Sequence, residues 1–264
     1  MLPFDPATLR VIDLEQPRRA GDPIAPGHVP PGYSYLLHRH HGPVPGDVRS
    51  SAAGVITQSD HAGTHIDALA HQAEDVQCFG GRPAAEIQTG FGFRELGVDT
   101  IAPIVARGVL IDLVSHRGTP VPLRELIGLE EIQDAARSQR AEPQAGDVVL
   151  VRTGNGPRWH QDAQDYLDGP GMAGAVSAWL AERRVRAVGA DNVAWDQRED
   201  REEAYTLPGH VLLLVRSGIH ILENLTLEEL AEAGAHEFVV VCLPLKLVGA
   251  TGSPVRPVAL LPAR

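Results

Sequence analysis

Short apolar runs that alternate with amphipathic segments constrain the fold of this chain more than any other feature of its sequence. Residues 104–114, 146–152 and 238–243 contain apolar, β-branched runs of the length expected for buried strands. Residues 129–140 and 173–184 instead place apolar side chains at helical spacing. Strands that alternate with helices in this way predict an α/β fold.

The same reasoning predicts three further strands, at residues 11–14, 33–38 and 185–189. It also predicts a short helix at residues 227–233. No repeat, low-complexity tract or linker divides the sequence, so we expect residues 1–264 to form a single domain. Residues 1–50 are rich in Pro and Gly, which disfavours long regular elements. We therefore interpret them as an N-terminal arm of that domain, one that could reach a second subunit.

Charge and cysteine usage argue against several classes of function. The chain has 23 Lys and Arg residues against 34 Asp and Glu residues, a formal net charge of −11. This charge opposes a general attraction to phosphate backbones or anionic lipid, so neither nucleic acid nor a membrane is an expected partner.

The two cysteines, Cys78 and Cys242, are too few for a disulfide framework and lack the paired spacing of a thiolate zinc site.

The start of the chain has no basic stretch followed by an apolar core, and no apolar run reaches the roughly 18 residues of a spanning helix. We therefore expect a cytoplasmic protein. The 12 histidines of this acidic chain direct attention to metal chemistry, because imidazole is the commonest protein ligand for transition metals.

The segment from residue 61 to residue 71 holds four potential metal ligands, His61, His65, Asp67 and His71. His61 and His65 stand four residues apart, so one helical turn or a tight loop at Gly63 would direct both imidazoles at one ion. Asp67 lies two residues beyond His65 and would share its face in an extended chain. Two imidazoles and one carboxylate leave coordination positions open for water and substrate, as a catalytic site requires.

His71 follows Asp67 by four residues and has two candidate roles. It could ligate a second ion bridged by Asp67, or accept a proton beside the water that attacks the substrate. A lone histidine is more often a surface or hydrogen-bonded residue, but four candidate ligands in one short segment are harder to attribute to chance. Thr64 could orient a ligand or bond its own backbone, and we assign it no role.

His210 and Glu223 are weaker candidates. His210 follows Pro208-Gly209 at the boundary of an apolar run, where a side chain could project into a site. Glu223 lies in a mostly apolar stretch, and a buried carboxylate needs a cation or several hydrogen-bond donors. Taken alone, His210 is better explained as a cap or turn residue and Glu223 as the N-terminal acid of the following helix. We expect His220 at the surface.

The histidine segment resembles the cyclase-like family of metal-dependent hydrolases, which includes bacterial kynurenine formamidases and isatin hydrolases. The family pattern His-x-Gly-Thr-His-x-Asp-x-x-x-His is matched in full. Similar blocks follow at 146–154, 188–191, 221–225, 243–249 and 252–256, so the resemblance runs from the histidine segment to the C-terminus. It implies a swivelling β/β/α fold, in which a mixed central β-sheet or barrel is flanked by helices, and a homodimer or larger homo-oligomer.

By position, the resemblance also implies a ligand set. The principal divalent ion would be bound by His61, His65 and Asp67. In the formamidase branch Asp67 would also bridge to a second zinc. The other ligands of that zinc would be His71, His210 and Glu223. The isatin hydrolase branch uses one manganese and leaves the final histidine as catalyst, so the expected cofactor is one or two ions of Zn²⁺ or Mn²⁺.

The expected function is a metal-dependent amidohydrolase that cleaves a small amide, lactam or formamide C–N bond with metal-activated water. His71, helped by Glu223 or His210, would take the proton from the water and return it to the leaving nitrogen. Two alternatives stay open, namely a metal-dependent lyase or cyclase that consumes no water, and a metal-binding module without turnover. The module ranks lower because all four ligands of the histidine segment are intact.

Overall fold

The computed structural model describes residues 8–28, 32–197 and 207–263 of the chain. In chain order, the strands are β1 (Leu9–Asp13), β2 (Tyr33–Arg39), β3 (Ala53–Gln58), β4 (His65–Asp67), β5 (Gln77–Cys78), β6 (Arg82–Pro83), β7 (Gln88–Thr89), β8 (Gly92–Phe93), β9 (Ile104–Asp112), β10 (Leu126–Ile127), β11 (Val148–Arg152), β12 (Gly171–Met172), β13 (Ala187–Ala190), β14 (His220–Glu223), β15 (Glu237–Cys242), β16 (Gly252–Pro254) and β17 (Val258–Pro262). The α-helices are α1 (Ala84–Ile87), α2 (Leu113–Arg117), α3 (Leu129–Ser138), α4 (Ala163–Leu167), α5 (Gly174–Glu182), α6 (Pro208–His210) and α7 (Glu228–Glu232). Short 3-10 helices cover Leu69–His71, Phe79–Gly81, Val98–Thr100 and Gly156–His160, and a π-helical segment covers Val211–Ser217.

In the described part of the chain, no helix is both long and apolar enough to cross a membrane.

A mixed sheet of nine strands, in the order β1-β17-β15-β9-β11-β13-β14-β4-β16, forms the centre of the fold. Strands β9, β11, β13 and β14 are parallel neighbours, and the strands on either side of them pair antiparallel. Helices α3 and α5 lie in the connections between the first three parallel strands, which need such crossovers. The α/β class and the mixed central sheet expected from the sequence are therefore confirmed.

Both faces of the central strands are covered. In β11, Val149 and Val151 pack in one hydrophobic cluster with residues of α3 and α5, whereas Val148 and Leu150 pack in a second cluster with Ile66 of β4. Strands buried on both faces carry nearly continuous apolar runs, which is why this strand could be recognised in the sequence. The two clusters hold the neighbouring strands β14 and β4, which carry candidate site residues.

Several predicted elements have different ends in the structure. Strand β9 stops at Asp112 instead of continuing to residue 114, because the Asp112 carboxylate accepts a hydrogen bond from the Ser115 amide and caps α2. The strand predicted at 11–14 lies earlier, as β1. Local capping and pairing, which depend on particular contacts, decide these boundaries.

Strands β2 and β3 form a hairpin that is separate from the nine-stranded sheet. Four of its large apolar side chains lie in solvent, with Tyr35 53%, Leu36 66%, Val55 52% and Ile56 60% exposed. Tyr35 pairs with Ile56 and Leu36 with Val55, so the two pairs lie on opposite faces of the hairpin. We call the β2–β3 unit the apolar hairpin. It does not pair with the central sheet, whereas β1, which also lies in the N-terminal region, pairs with β17 of that sheet.

Candidate metal centre

A turn and the short strand β4 present the first three candidate ligands. His61 precedes Gly63, whose φ of 62° favours glycine. His65 and Asp67 begin and end β4, so their side chains project from the same face of the strand, as the spacing predicts. His61 Nδ1 lies 2.9 Å from Asp67 Oδ1, and His65 Nε2 lies 3.5 Å from the same oxygen. The structure therefore brings these three residues together.

Glu223 and His210 join this group from distant parts of the chain. Strand β14 pairs with β4 so that Glu223 lies directly opposite His65, and Glu223 Oε2 is 3.4 Å from His65 Nε2. His210, at the end of α6, places Nε2 3.3 Å from Glu223 Oε1 and 3.7 Å from Asp67 Oδ2. The structural role considered for Glu223 alone is wrong, because Glu223 ends β14 and the first acids of α7 are Glu228 and Glu229. His210 does lie at a helix boundary, between α6 and the π-helical segment, and its imidazole also faces Glu223 and Asp67.

The polar atoms of this group provide a direct test of whether a metal ion would fit. The five residues are at most 6% exposed. In the described structure, no hydrogen-bond partner is found for His61 Nδ1, His65 Nε2 or either Asp67 oxygen. Unpaired buried polar atoms are costly, and the donor atoms of these three residues lie within 4.8 Å of one another. Imidazole nitrogens and carboxylate oxygens are ligands of divalent transition metals, so the residues present fit such an ion.

The two oxygens of Asp67 face different neighbours. Oδ1 lies beside His61 and His65, whereas Oδ2 is the oxygen that faces His210. A second set of donor atoms, from Asp67, His71 and His210, also falls within 4.8 Å of one another. Asp67 is thus placed between two adjacent groups of potential ligands.

Hydrogen bonds orient the imidazoles of His65 and His210. His65 Nδ1 donates to the Gly63 carbonyl at 2.8 Å. His210 Nδ1 donates to Asp196 Oδ2 at 2.6 Å, and the same carboxylate accepts from the amides of Gly209 and His210. These partners assign the proton to Nδ1 and leave the lone pair of Nε2 facing the site, which is how metal-binding histidines are commonly supported.

His61 is oriented through two further residues. Its Nε2 donates to the Thr251 hydroxyl at 2.9 Å, and that hydroxyl donates to Asp60 Oδ2 at 2.8 Å. The lone pair of His61 Nδ1 therefore faces Asp67. Sequence reasoning missed the supporting residues Thr251, Asp60 and Asp196, because no spacing in the chain links them to their histidines.

The buried charges shift one another's pKa. Burial opposes ionisation of Asp67, but the neighbouring imidazoles, His71 foremost, lower the pKa of its carboxyl well below the ordinary value. Burial also opposes the charged form of His210, yet its bonds to Asp196 and Glu223 raise its pKa well above the ordinary value. Protons on the imidazoles thus balance the carboxylates when no cation is bound. We therefore expect metal binding to release protons.

His71 lies at the end of the 3-10 helix, on the open side of the group. The centroid of its ring is 4.0 Å from that of His61 and 6.2 Å from that of His210. Burial and the neighbouring imidazoles lower the pKa of His71 to about 3, although Asp67 acts in the opposite direction. Burial therefore favours the uncharged ring, which is the form that binds a metal ion.

A cavity of about 900 Å³ opens beside His71 and is also lined by His210 and Glu223. Pro26, Val193 and other apolar residues form its walls. A volume of this size suits a small organic molecule. The candidate ligands thus lie at the inner end of a space that could hold a substrate.

His28 also lines this cavity and was missed by sequence reasoning. Its ring stacks on that of His61, with 4.8 Å between centroids and 12° between planes. Burial, together with the charge of His61, lowers the pKa of His28. In the sequence, His28 is a single histidine within the Pro- and Gly-rich start of the chain, and no ligand-like spacing links it to the histidine segment.

Thr64 and His220, which had no expected site role, both contact the ligand-bearing segments. Thr64 Oγ1 accepts from the Gln16 amide at 2.8 Å and donates to the Asn224 carbonyl at 2.6 Å, so it joins three segments instead of bonding its own backbone. The expected surface position of His220 is wrong. It is half-buried, and its Nδ1 donates to the Asp67 carbonyl at 2.9 Å, because β14 runs beside β4.

Comparisons with known proteins agree with this geometry. A family model described as putative cyclase matches residues 12–197. The kynurenine formamidase of Bacillus mycoides (strain KBAB4) is 29% identical over 252 residues, which cover 95% of this chain and 97% of the relative. A solved structure described as a novel cyclase has a TM-score of 0.85 at 28% identity, covering 96% of this chain and 88% of that one. Isatin hydrolase A from Ralstonia solanacearum has a TM-score of 0.73 at 26% identity, with coverage of 97% and 93%.

The resemblance seen in the histidine segment is therefore confirmed over most of the chain. The matched family region begins within β1 and extends past β13, the third of the four parallel strands, and it includes the whole segment from His61 to His71. The solved structures also reproduce the fold that the resemblance implied. The family model spans well over half of the sequence, and the chain belongs to the putative cyclase family.

Proposed function

We propose that this protein is a metal-dependent amidohydrolase that cleaves a C–N bond other than a peptide bond in a small amide, lactam or formamide. The observation that carries the proposal is the convergence of unpaired imidazole and carboxylate atoms beside a cavity of substrate size. Relatives named kynurenine formamidase and isatin hydrolase support the same class of reaction, which is also the one expected from the sequence.

The proposed ligands form two overlapping sets. The principal ion, Zn²⁺ or Mn²⁺, would be held by His61, His65 and Asp67. A second ion would be held by Asp67, His71, His210 and Glu223. A divalent ion bound there polarises a substrate carbonyl and lowers the pKa of water to roughly 7. The different surroundings of the two Asp67 oxygens favour the two-ion arrangement, and metal analysis of the purified protein tests it.

Side chains of the protein would transfer the proton of the attacking water to the leaving nitrogen. His71 lines the cavity, so where its imidazole is not bound to a second ion it could take a proton from the attacking water and return it to the leaving nitrogen. Where no second ion is bound, His210 and Glu223 could assist, because His210 Nε2 lies 3.3 Å from Glu223 Oε1 while Asp196 holds the other nitrogen of that ring.

Hydrolysis is tested with a panel of N-formylanilines, lactams and cyclic imides. We expect turnover of at least one class. A lactam or cyclic imide would give a ring-opened product heavier by one water, and an N-formylaniline would give an aniline and formate, whose summed mass exceeds that of the substrate by one water. A product of unchanged mass, or one formed by elimination, would assign the site to a lyase or cyclase instead. Binding of metal without turnover of any compound would favour the non-catalytic module.

Removal of the metal is expected to abolish hydrolysis without unfolding the protein. The hydrophobic clusters on the two faces of the sheet do not depend on the ion, whereas structural zinc sites are generally needed for folding itself. Chelator-treated protein should keep its circular dichroism spectrum and a cooperative thermal transition, at a lower temperature because a bound ligand stabilises the folded state. Activity should return on addition of Zn²⁺ or Mn²⁺. Loss of the folded signal on chelation would contradict this prediction.

We propose further that the protein is cytoplasmic and that the apolar hairpin contacts a second copy of the chain in a homodimer or larger homo-oligomer. An isolated two-stranded hairpin is only marginally stable in water, and this one exposes large apolar side chains on both faces. The family resemblance favours the same assembly. The proposed small-molecule substrate needs no other macromolecule, and the net charge of −11 argues against nucleic acid.

A charge in the apolar hairpin is expected to disrupt that assembly. Ile56→Glu would place a carboxylate in the buried contact, so light scattering after gel filtration should show a lower molar mass than for the unaltered protein. The control is Val248→Glu, since Val248 is 83% exposed and lies outside the hairpin. An unchanged molar mass for Ile56→Glu would remove the hairpin from the proposed interface.

A further inference from the structure

We propose that Arg18 is a positioning residue of the metal centre, whose guanidinium holds the turn between His61 and His65 in the conformation that directs both imidazoles at one ion. This inference rests on the proposed function, because it assumes that the two histidines bind a metal. Arg18 lies in the N-terminal region, outside the segment from which the ligands were identified. Its role is therefore set by a contact between distant parts of the chain.

The guanidinium of Arg18 binds the turn from both sides. Nη1 donates to the Ala62 carbonyl and Nη2 to the Thr64 carbonyl. The Thr64 carbonyl also accepts from the Val255 amide, whereas the described hydrogen bonds give the Ala62 carbonyl no other donor. Ala62 is 3% exposed, so loss of Arg18 would leave its carbonyl buried without a partner.

The Gly63 carbonyl, which lies between those of Ala62 and Thr64, also accepts hydrogen bonds. The Gly63 oxygen accepts from His65 Nδ1 at 2.8 Å and from Asn224 Nδ2 at 3.0 Å. All three carbonyls of the turn therefore have fixed donors, and one of those donors is the ligand imidazole of His65. A rotation of the turn would change the direction of that ring as well as the position of His61.

The space beside Gly63 is filled by the same guanidinium. A Cβ atom at this glycine would lie 2.6 Å from Arg18 Nη1, closer than real Cβ contacts allow. The residue also has a positive φ, which side chains other than glycine rarely adopt. The turn and Arg18 therefore depend on each other. Gly63 leaves space for the guanidinium, and the guanidinium binds the carbonyls on either side of Gly63.

A cation next to a metal site needs compensation, and Glu15 provides it. Arg18 Nε donates to Glu15 Oε1 at 2.8 Å, and the two side chains are 13% and 21% exposed. The pair is close to neutral, so the guanidinium can hold the turn with little repulsion of a divalent ion. Gln16, between them, anchors the segment by donating its amide to Thr64 Oγ1 at 2.8 Å.

The test compares Arg18→Met with Arg19→Met, the same substitution at the next, exposed residue. Co²⁺ serves as the probe, because its visible absorption reports ligand geometry and its affinity follows from competition with a chelator. Loss of a group that orients metal ligands typically costs 10- to 100-fold in metal affinity, so we expect about that loss and altered bands for Arg18→Met. Arg19→Met should match the unaltered protein.

Chemical rescue separates positioning from general stability. In Arg18→Ala, millimolar ethylguanidinium should restore much of the Co²⁺ affinity, since it can occupy the vacated space and donate to the same carbonyls. Glu15→Gln keeps the bonds to the turn but leaves the guanidinium uncompensated, so it should weaken Co²⁺ binding by roughly tenfold. If an arginine variant fails to fold, this second variant still tests the arrangement.

Three results would overturn the inference in different ways. Unchanged Co²⁺ affinity and spectrum in folded Arg18→Met would reject the positioning role while leaving the metal site intact. Absence of Co²⁺ binding by the unaltered protein would reject the proposed metal site, and this inference with it. A lower thermal stability of Arg18→Met without any change in Co²⁺ binding would mean that Arg18 is structural only.

Discussion

His65→Ala is expected to abolish both metal binding and turnover. His65 Nε2 lies 3.5 Å from Asp67 and 3.4 Å from Glu223, and the Gly63 carbonyl holds Nδ1, so the ring is fixed with Nε2 facing the proposed ion. A bound divalent ion contributes several kcal/mol of transition-state stabilisation, and 1.36 kcal/mol corresponds to a tenfold rate change. We therefore expect kcat/KM to fall by about 10³-fold or more.

The measurement is metal content after dialysis, together with kcat/KM on the best compound of the panel. His116→Ala is the matched control, because His116 is exposed on α2 and far in sequence from the site. Circular dichroism must show that both variants are folded. Full activity of His65→Ala in metal-depleted buffer would contradict the assignment of this residue as a ligand.

His71→Ala is expected to keep the principal ion and lose most of the rate. His71 lies on the cavity side of the group, whereas the principal set is formed by three other residues. General acid and base catalysis typically contributes 10²- to 10⁴-fold, so kcat should fall by about that factor while the principal ion is retained. The reason is that the water would lose its proton acceptor and the leaving nitrogen its proton donor.

Metal stoichiometry makes this variant informative about the number of ions. If His71 also ligates a second ion, His71→Ala should lose that ion and keep the first. If the site holds a single ion, the metal content should not change although the rate falls. Unchanged kinetics in a folded variant would remove His71 from the mechanism, whatever the metal content. His116→Ala again serves as the control for replacement of a histidine.

Much of the local structure could be predicted because it depends on neighbours in the chain. The alternation in His65-Ile66-Asp67 places two ligands on one face of a strand, as a period of two requires, and β4 has this geometry. Helix α3 and strand β11 also follow from their apolar patterns, since helical spacing and buried apolar runs are local signals. The family was recognisable for the same reason, because its ligands lie in one short segment.

The residues that complete the site were decided by the tertiary structure. Glu223 faces His65 only because β14 pairs with β4, although the two residues are far apart in the sequence. Asp196 and Thr251 were not recognised at all, since each acts through a hydrogen bond to a histidine from another part of the chain.

What the sequence by itself determined is thus the α/β class, the helices α3 and α5, several strands of the central sheet, and the cluster of His61, His65, Asp67 and His71. What only the tertiary structure decided is which distant side chains face that cluster and which hold its turn, as Arg18 does. The physical reason is that helical and strand periodicity act between near neighbours. The partners of a buried polar atom are instead chosen by how the strands pair and how the chain packs around them.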